Sequence, residues 1–377
     1  TGTVWYVDAN ATGANNGSSW CNAFTSLSLA LDSAFASNIW TIRVADGTYK
    51  PDTTGLVDPR TAAFSPFAFF HISSLIGGYA GCGAPDPDAR DPAINQTILS
   101  GDIGVIGDVT DNCYHVVFAN GVESALMDGF TLTGGNANGP GGNWKDFAGG
   151  ARFIGSPIVR NCVFEVNNAT SGAGGAFCRR SGMGTGGQFH RCIFRNNTAS
   201  GFGGGVWVEG QASVENCLAV GNPAFSGGAA AYANGTSALT MTNCTITAND
   251  SGNSTTSGAL LLNDSASLTL RNSILWDNTA PTGTVTQKQI RVNSSGSVIV
   301  TYSVVQDDDP NDVSVYAGTA NLDDNPRLDA NSILKIGSPA IDSGENDAVV
   351  GDAYLDGAPG RVDDVGMADT GLGTAPI

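Results

Sequence analysis

The sequence predicts an all-β protein, a right-handed parallel β-helix with an N-terminal amphipathic helix as its cap and an irregular C-terminal wrap. Three observations lead to this prediction. A short motif recurs every 25–30 residues, glycine supplies 51 of the 377 residues, and no helical period separates the copies. Repeats of this length indicate solenoids, propellers or arrays. Two short strands per repeat, divided by glycine-rich turns, favour the solenoid.

The first repeated column carries a cysteine or a serine. It appears in "VRNCVFEVNN", "FHRCIFRNN", "VENCLAVGN" and "MTNCTITAND", and continues with serine in "LRNSILWDN" and "VTYSVVQDD". Side chains alternate between the faces of a strand, so this residue and the one two positions later should point inward. Stacked thiols could also bind a soft metal or form disulfides, but serine at the same place favours a core role. The cysteines of this column are Cys162, Cys192, Cys217 and Cys244.

The second repeated column is an asparagine five residues after the cysteine or serine in the five consecutive copies from Cys162 to Ser273. We expect these side chains to stack at a turn, each amide bonding the next, as in other cross-β ladders. Asparagine also tolerates the left-handed backbone conformation that such a turn can require. The predicted ladder is Asn167, Asn197, Asn222, Asn249 and Asn278.

Both ends of a solenoid need a cover. The stretch "FTSLSLALDSAFAS" at 24–37 predicts an amphipathic helix that caps the N-terminal end, with Leu27, Leu31, Ala34 and Phe35 on one side. We divide the chain, as one continuous structural domain, into cap and first coils (1–125), regular coils (126–304) and an irregular C-terminal wrap (305–377).

Composition limits the function. A formal net charge of −18 argues against nucleic acid and anionic membranes as partners. No apolar run approaches the length of a transmembrane segment. The absence of CxxC pairs argues against zinc-ribbon sites. The chain opens directly on "TGTVWYVDA", which we interpret as a mature N-terminus after export.

Several stretches together carry a family resemblance. The opening "WYVDANATGANNGSSWCNAFTSLSLALDSA", then "IRVADGTYKP", "GGYAGCGAPDPDARDP" and "MDGFTLTGGNANG", resemble bacterial secreted right-handed β-helix proteins of planctomycete type. The tail segments "GSPAIDSGEND", "YLDGAPGRVDD" and "DTGLGTAPI" resemble the choice-of-anchor Q region that ends such chains, and the repeats resemble those of polymorphic outer-membrane proteins. The resemblance implies the fold, export, and a cell-surface or extracellular location. It implies no reaction, because the family offers no shared catalytic motif.

The chain departs from that family at two places. Cys21 and Cys82 appear where its members usually lack cysteine, which suggests a disulfide between the cap and the first coils in an oxidising compartment. Two independent buried thiols are the alternative. The chain also stops at Ile377, where relatives usually add a final strand, so the last coil could have an unpaired edge.

One group of basic residues is a candidate for catalysis. The densest basic cluster of an acidic chain consists of Arg179, Arg180, His190, Arg191 and Arg195, and the catalytic candidates are Arg179, Arg180, His190 and Arg195. A polysaccharide lyase needs a base to remove a proton beside a carboxylate, and a cation to neutralise that carboxylate. Surface or packing contacts are the alternative, and they are favoured because no acidic trio for Ca²⁺ lies in neighbouring coils. A glycosidase needs paired carboxylates, and the outward column after the cysteines supplies only Glu165.

Two further features are candidates for binding. The run Asp307, Asp308 and Asp309 could hold a structural Ca²⁺, although no established calcium motif surrounds it, and no cofactor is required. Trp207 and Trp276 are predicted to be exposed, where they could stack on sugars.

We expect a secreted structural or adhesive protein that binds itself or surface glycans. An exposed "VWYVDA" strand meeting the shortened C-terminal end would join copies head to tail, and such a contact generates filaments. A carbohydrate-active lyase or glycosidase and a non-catalytic glycan-binding module are the alternatives.

Overall fold

The chain folds into stacked coils whose strands form three parallel sheets. The computed structural model describes residues 3–35, 39–65, 73–141, 144–181, 184–252, 258–308, 316, 318–336 and 338–341. Sheet A has 13 strands, and most coils cross it in two segments separated by a bulge or loop. Its strands are β1 Thr3–Val7, β2 Ile39–Ala45, β4 Ser74–Tyr79, β6 Val117–Asp128, β9 Ala151–Arg160, β12 Ala176–Arg179, β13 Gly187–His190, β16 Val206–Glu215, β18 Ala231–Thr242, β20 Leu260–Leu262, β21 Ser267–Arg271, β23 Ile290–Val292 and β24 Ser297–Thr301.

Sheets B and C complete each coil. Sheet B has nine strands: β3 Gly47–Tyr49, β5 Thr97–Ser100, β7 Phe130–Thr133, β10 Val163–Glu165, β14 Ile193–Arg195, β17 Leu218–Val220, β19 Thr245–Thr247, β22 Ile274–Trp276 and β25 Val304–Val305. Sheet C has three: β8 Asn136–Ala137, β11 Asn168–Ala169 and β15 Thr198–Ala199. The helices are α1 Leu27–Phe35 and α2 Val285–Gln289, with a 3₁₀ turn at Pro59–Thr61. The predicted parallel β-solenoid is thus confirmed.

Two backbone corners close each coil. The residue before each cysteine or serine is left-handed, from Asn161 (φ 49°) through Arg191 (φ 53°) to Tyr302 (φ 50°). A second left-handed residue precedes each ladder asparagine, for example Asn196 with φ 54°. The expectation that the ladder asparagines themselves take this conformation is therefore wrong. Their side chains serve hydrogen bonding, while a neighbour makes the turn.

The asparagine ladder is confirmed. The Nδ2 of each member donates to the Oδ1 of the next, at 3.0 Å from Asn167 to Asn197 and from Asn197 to Asn222, and at 2.9 Å from Asn222 to Asn249 and from Asn249 to Asn278. Each Oδ1 also accepts the backbone N–H of the preceding member. The five residues are buried, so these bonds satisfy polar groups that water does not reach.

The cysteine column is buried as predicted, but its side chains also bond. The amide of Cys192 donates to Cys217 Sγ at 3.2 Å, and that thiol donates to the carbonyl of Glu215 at 3.2 Å. Ser273 repeats both contacts, accepting from the amide of Cys244 at 3.1 Å and donating to the carbonyl of Arg271 at 2.8 Å. Serine can therefore take the place of cysteine in this column, because both side chains are small and both link neighbouring coils.

This geometry predicts how the column tolerates substitution. Cys217→Ser is expected to change the free energy of unfolding by less than about 1 kcal/mol, because a hydroxyl makes the same contacts at Ser273. Cys217→Ala leaves the Cys192 amide unpaired and should cost about 1–3 kcal/mol. Denaturant unfolding of both variants measures the difference. Equal losses in the two variants would show that the column acts only through volume.

A single apolar core runs inside the coils, from Val7 to Val305. Residues two positions after the cysteines are buried as predicted, and the rings of Phe164 and Phe194 stack with centroids 4.9 Å apart. Residues three positions after the cysteine or serine should point outward by strand alternation, but Thr247 and Trp276 at these positions are buried, each with 7% of its surface exposed. Strand alternation alone thus does not decide exposure on this face.

The N-terminal cap is present, with a shorter helix than predicted. Leu27, Leu31 and Ala34 of α1 are buried in the core, while the side chain of Phe35 lies outside the described part. The helix does not reach back to Phe24, because that backbone pairs with β1. The amide of Phe24 donates to the carbonyl of Tyr6 at 2.9 Å, and its carbonyl accepts from the amide of Asp8 at 2.9 Å.

These contacts correct the expectation of an exposed first strand. The amide of Tyr6 donates to the carbonyl of Gly17 at 3.1 Å, so the outer edge of β1 is occupied at its centre. At the other end, Leu322 pairs with Val304 in the described part of the C-terminal region. The "GTAPI" end lies outside the described residues, and the boundaries 1–125, 126–304 and 305–377 remain predictions.

Candidate functional site

One column of polar side chains runs along the edge where sheet A turns into sheet B. Strand register places Asp128, Arg160, His190, Glu215 and Thr242 at equivalent positions of successive coils. Adjacent parallel strands lie about 4.8 Å apart, so neighbouring members can contact each other. We call this the edge column.

His190 is the best-defined member of the edge column. Its Nδ1 lies 3.1 Å from Glu215 Oε2, and Glu215 Oε1 accepts a hydrogen bond from Ser213 Oγ at 3.0 Å. The Nε2 atom is buried and has no hydrogen-bond partner among the described residues. A carboxylate that holds one ring nitrogen orients the other, which is the arrangement of a general base or a hydrogen-bonding group.

The predicted catalytic group does not assemble into one site. Arg179 ends β12, where its Nε lies 3.7 Å from Glu209 Oε2, and the backbone amide of Arg180 donates to the carbonyl of Glu209. Arg195 belongs to sheet B and binds Glu165 across coils, with its Nε 2.6 Å from Oε2. His190 ends the second segment of sheet A. The four residues therefore lie in three places.

Two arginines flank His190 instead: Arg191, which belongs to the predicted basic cluster, and Arg160, which that cluster did not include. Arg160 stands beside it in register, one coil earlier, and Arg191 follows it at the corner. Arg160 is exposed and Arg191 partly so, and neither forms an ion pair within the described part of the chain. The repeat carried the signal, because aligning the copies places Arg160 and Glu215 in the column of His190. The search for paired carboxylates covered only the outward column of sheet B. Asp128 was therefore missed, and Glu215 was aligned with His190 but not considered as its partner.

Trp207 lies in an aromatic layer outside the coil, so the prediction of an exposed ring is wrong. Only 9% of its surface is exposed, because Phe147 covers it with centroids 4.7 Å apart and Tyr232 packs edge-on at 4.6 Å. Phe202 stacks on Tyr232 at 4.6 Å. Since Trp276 is buried as well, neither tryptophan offers an open face to a sugar.

His115 lies near this layer, and its burial predicts a pH dependence. Burial and the nearby Arg152 lower the pKa of His115 from 6.5 to about 4, although its Nδ1 lies 2.9 Å from the carbonyl of Ala148. The unfolded chain therefore binds more protons between these values, so stability should fall as the pH drops from about 6.5 to about 4, by at most about 3 kcal/mol.

Denaturant unfolding across this pH range tests the role of His115. Carboxylates also titrate at about pH 4, and they do so in the native chain and in the His115→Gln variant alike. His115→Gln is therefore the matched control. The difference in slope between the native chain and this variant isolates the histidine. Parallel slopes would contradict the assignment.

The buried thiols are poorly suited to nucleophilic or metal chemistry. Burial raises the pKa of Cys162 and of Cys178 to about 12, so both stay protonated at neutral pH. No group of three or more His, Cys, Asp or Glu side chains in the described ranges could hold a metal ion. Asp307 is buried and Asp308 exposed, while Asp309 lies outside the described residues. Calcium there remains a prediction.

The structure joins Cys21 and Cys82 in a disulfide with a Cα–Cα distance of 4.9 Å. The bond connects the segment after β1 to the segment after β4. Beside it, Trp20 packs on Tyr6 and Tyr79, and Asp8 Oδ2 accepts the amide of Cys82 at 2.7 Å. The structure therefore agrees with the predicted disulfide and not with the alternative of two independent buried thiols.

Comparison with known proteins agrees with this architecture. The family model described as the right-handed beta helix region matches residues 187–348. The fold is a right-handed parallel β-helix. A structure similar to this chain is the crystal structure of pectate lyase Pel9A, with a TM-score of 0.51, 15% identity, and coverage of 85% of this chain and 76% of that one. Such identity shows a shared fold alone. No curated protein matches the chain. In the described part of the β-helix, no helix is long and apolar enough to cross a membrane.

Proposed function

We propose that this β-helix is a secreted bacterial structural or adhesive protein of the cell surface or extracellular space. The observation that carries the proposal is the continuous core and ladder system, fastened at its capped end by the Cys21–Cys82 disulfide. Disulfides persist in oxidising compartments. Stacked solenoid repeats form an extended surface that a partner can bind. The resemblance to choice-of-anchor Q proteins supports the same location.

Localisation and attachment assays on the producing cells test the proposal. Surface labelling is expected to find the protein outside the cell, and deletion of its gene should reduce attachment to glycan-coated surfaces. Complementation with the native chain controls for indirect effects. Recovery only from the cytoplasm would refute the proposal, and unchanged attachment would refute its adhesive role. The covered edge of β1 argues against head-to-tail assembly through that strand, so filaments are not part of this proposal.

A polysaccharide lyase is the second candidate, favoured by the Glu215–His190 pair. In that function the unpartnered Nε2 of His190 would remove the proton beside a substrate carboxylate, and Arg160 would neutralise that carboxylate. The enclosed Nε2 would have to become accessible when substrate binds. Pectate is the first polymer to test, because the similar solved structure is a pectate lyase. Release of unsaturated ends by the native chain but not by His190→Gln would establish the activity, and no release from uronate polymers would exclude it.

A further inference from the structure

The two coils formed by residues 151–200 carry a charge opposite to that of the chain. They contain six arginines and one glutamate, whereas the rest of the protein has eleven basic and 34 acidic residues. Arg179 and Arg195 are engaged by Glu209 and Glu165. Local positive charge on an acidic protein attracts an anion to one place and repels it elsewhere.

From these positions we propose that Arg160, His190 and Arg191 form a binding site for an acidic polysaccharide, contacting its carboxylate or sulfate groups. This inference rests on the proposed extracellular role, where such polymers occur. Arg160 and His190 are neighbours in parallel register, and Arg191 stands at the corner beside them. Arginine binds planar and tetrahedral oxyanions through several N–H donors at once.

The surface next to these three residues suits a sugar ring. Val163, Ile193 and Leu218 form a partly exposed aliphatic row at the start of the sheet B strands, in register with each other. A sugar presents an apolar C–H face and polar edges, so its ring can lie on this row while its acidic group reaches the corner. Coils repeat every 4.8 Å or so, which is comparable to the length of one sugar residue in a linear chain.

Charge density favours a polysaccharide over nucleic acid. Duplex DNA carries one charge per roughly 1.7 Å of its axis. It would extend beyond the two basic coils, along a chain whose other residues carry a large excess of acidic groups. A polymer with one charge per sugar or fewer needs only the few cations that two coils provide.

Matched substitutions make the site testable without disturbing the fold. Arg160→Thr introduces the residue that Thr242 places in the edge column. Arg191→Asn introduces the residue that Asn216 and Asn243 place at the same left-handed corner, with φ 53° and 54°. Arg327→Asn is the control. Arg327 is also exposed and left-handed, with φ 52°, and it lies outside the two basic coils formed by residues 151–200.

The experiment measures binding of the full chain by calorimetry at low ionic strength. The probes are oligogalacturonate, a sulfated dextran oligomer of equal length, a neutral dextran oligomer and duplex DNA. We expect at least one acidic oligomer to bind, the double variant Arg160→Thr/Arg191→Asn to weaken that binding at least about tenfold, and Arg327→Asn to change it less than about twofold. The two acidic probes show whether carboxylate or sulfate is preferred.

Three outcomes would overturn the inference. They are absence of binding to both acidic oligomers, equal binding by the native chain and the double variant, and binding of neutral dextran or DNA as tight as that of the acidic oligomers. Circular dichroism and thermal melting of each variant verify the fold. If the protein is absent from the cell surface yet binds acidic oligomers as described, the proposed function fails and the site stands. If it promotes attachment without binding them, the site fails and the proposed function stands.

Discussion

Replacing Asn222 by Ala is expected to lower the free energy of unfolding by about 3–5 kcal/mol, because several buried polar groups lose their partners together. The Oδ1 of Asn222 accepts from both the amide and the Nδ2 of Asn197, each at 3.0 Å. Its Nδ2 donates to the carbonyl of Phe194 at 2.8 Å and to Asn249 Oδ1 at 2.9 Å. Asn222 is fully buried, so water cannot replace these bonds without rearrangement.

The adjacent coil supplies a matched control for this prediction. Asn196 is exposed and left-handed, and equivalent corners hold Val166 and Ala248 in the same conformation. Asn196→Ala should therefore cost less than about 1 kcal/mol. Both variants remove one asparagine amide, so they differ chiefly in burial and hydrogen bonding. Denaturant unfolding, together with hydrogen exchange of β14, β17 and β19, would measure the contrast. Similar losses in the two variants would show that the ladder adds no stability of its own.

The ladders were predictable because a β-helix converts sequence period directly into spatial contact. Five asparagines at equal distances from a cysteine or serine can stack only if each repeat is one coil. The end of the ladder was not predictable. Asn278 donates to Gln289 Oε1 at 2.7 Å, and Gln289 comes from the short helix α2, which has no counterpart in the other copies.

The candidate site was predicted only in part. The sequence shows which residues are charged, but strand register decides which of them lie side by side. Arg179, His190 and Arg195 are close in sequence but belong to different strands, whereas Arg160 and Glu215 are distant in sequence and adjacent to His190 in space. The prediction that Trp207 is exposed was wrong for another reason. An outward residue is exposed only if nothing covers its sheet. Phe147 and Phe202 cover it from one register position of alternate coils, where the intervening coils have Gly172 and Gly227.

Loss of the Cys21–Cys82 disulfide is expected to destabilise the capped end by about 4 kcal/mol. The bond closes a loop with a sequence separation of 61 residues, and a cross-link of this length removes substantial entropy from the unfolded chain. Because solenoid coils contact chiefly their neighbours, the effect should be local. In Cys21→Ala/Cys82→Ala we expect faster hydrogen exchange in β1, β2 and β4, with little change in β16 to β22.

Reduction of the native chain provides an independent route to the same state. The other described cysteines are free thiols, so a mild reductant acts on the Cys21–Cys82 disulfide and leaves the cysteine column unchanged. Reduced native protein should then match the double variant in exchange and in denaturant midpoint, and the double variant should not respond to the reductant. Uniform destabilisation of all coils would contradict local coupling. An unchanged cap would mean that α1 and the Phe24 pairing with β1 hold the first coils without the bond, and the oxidising compartment would lose its structural support.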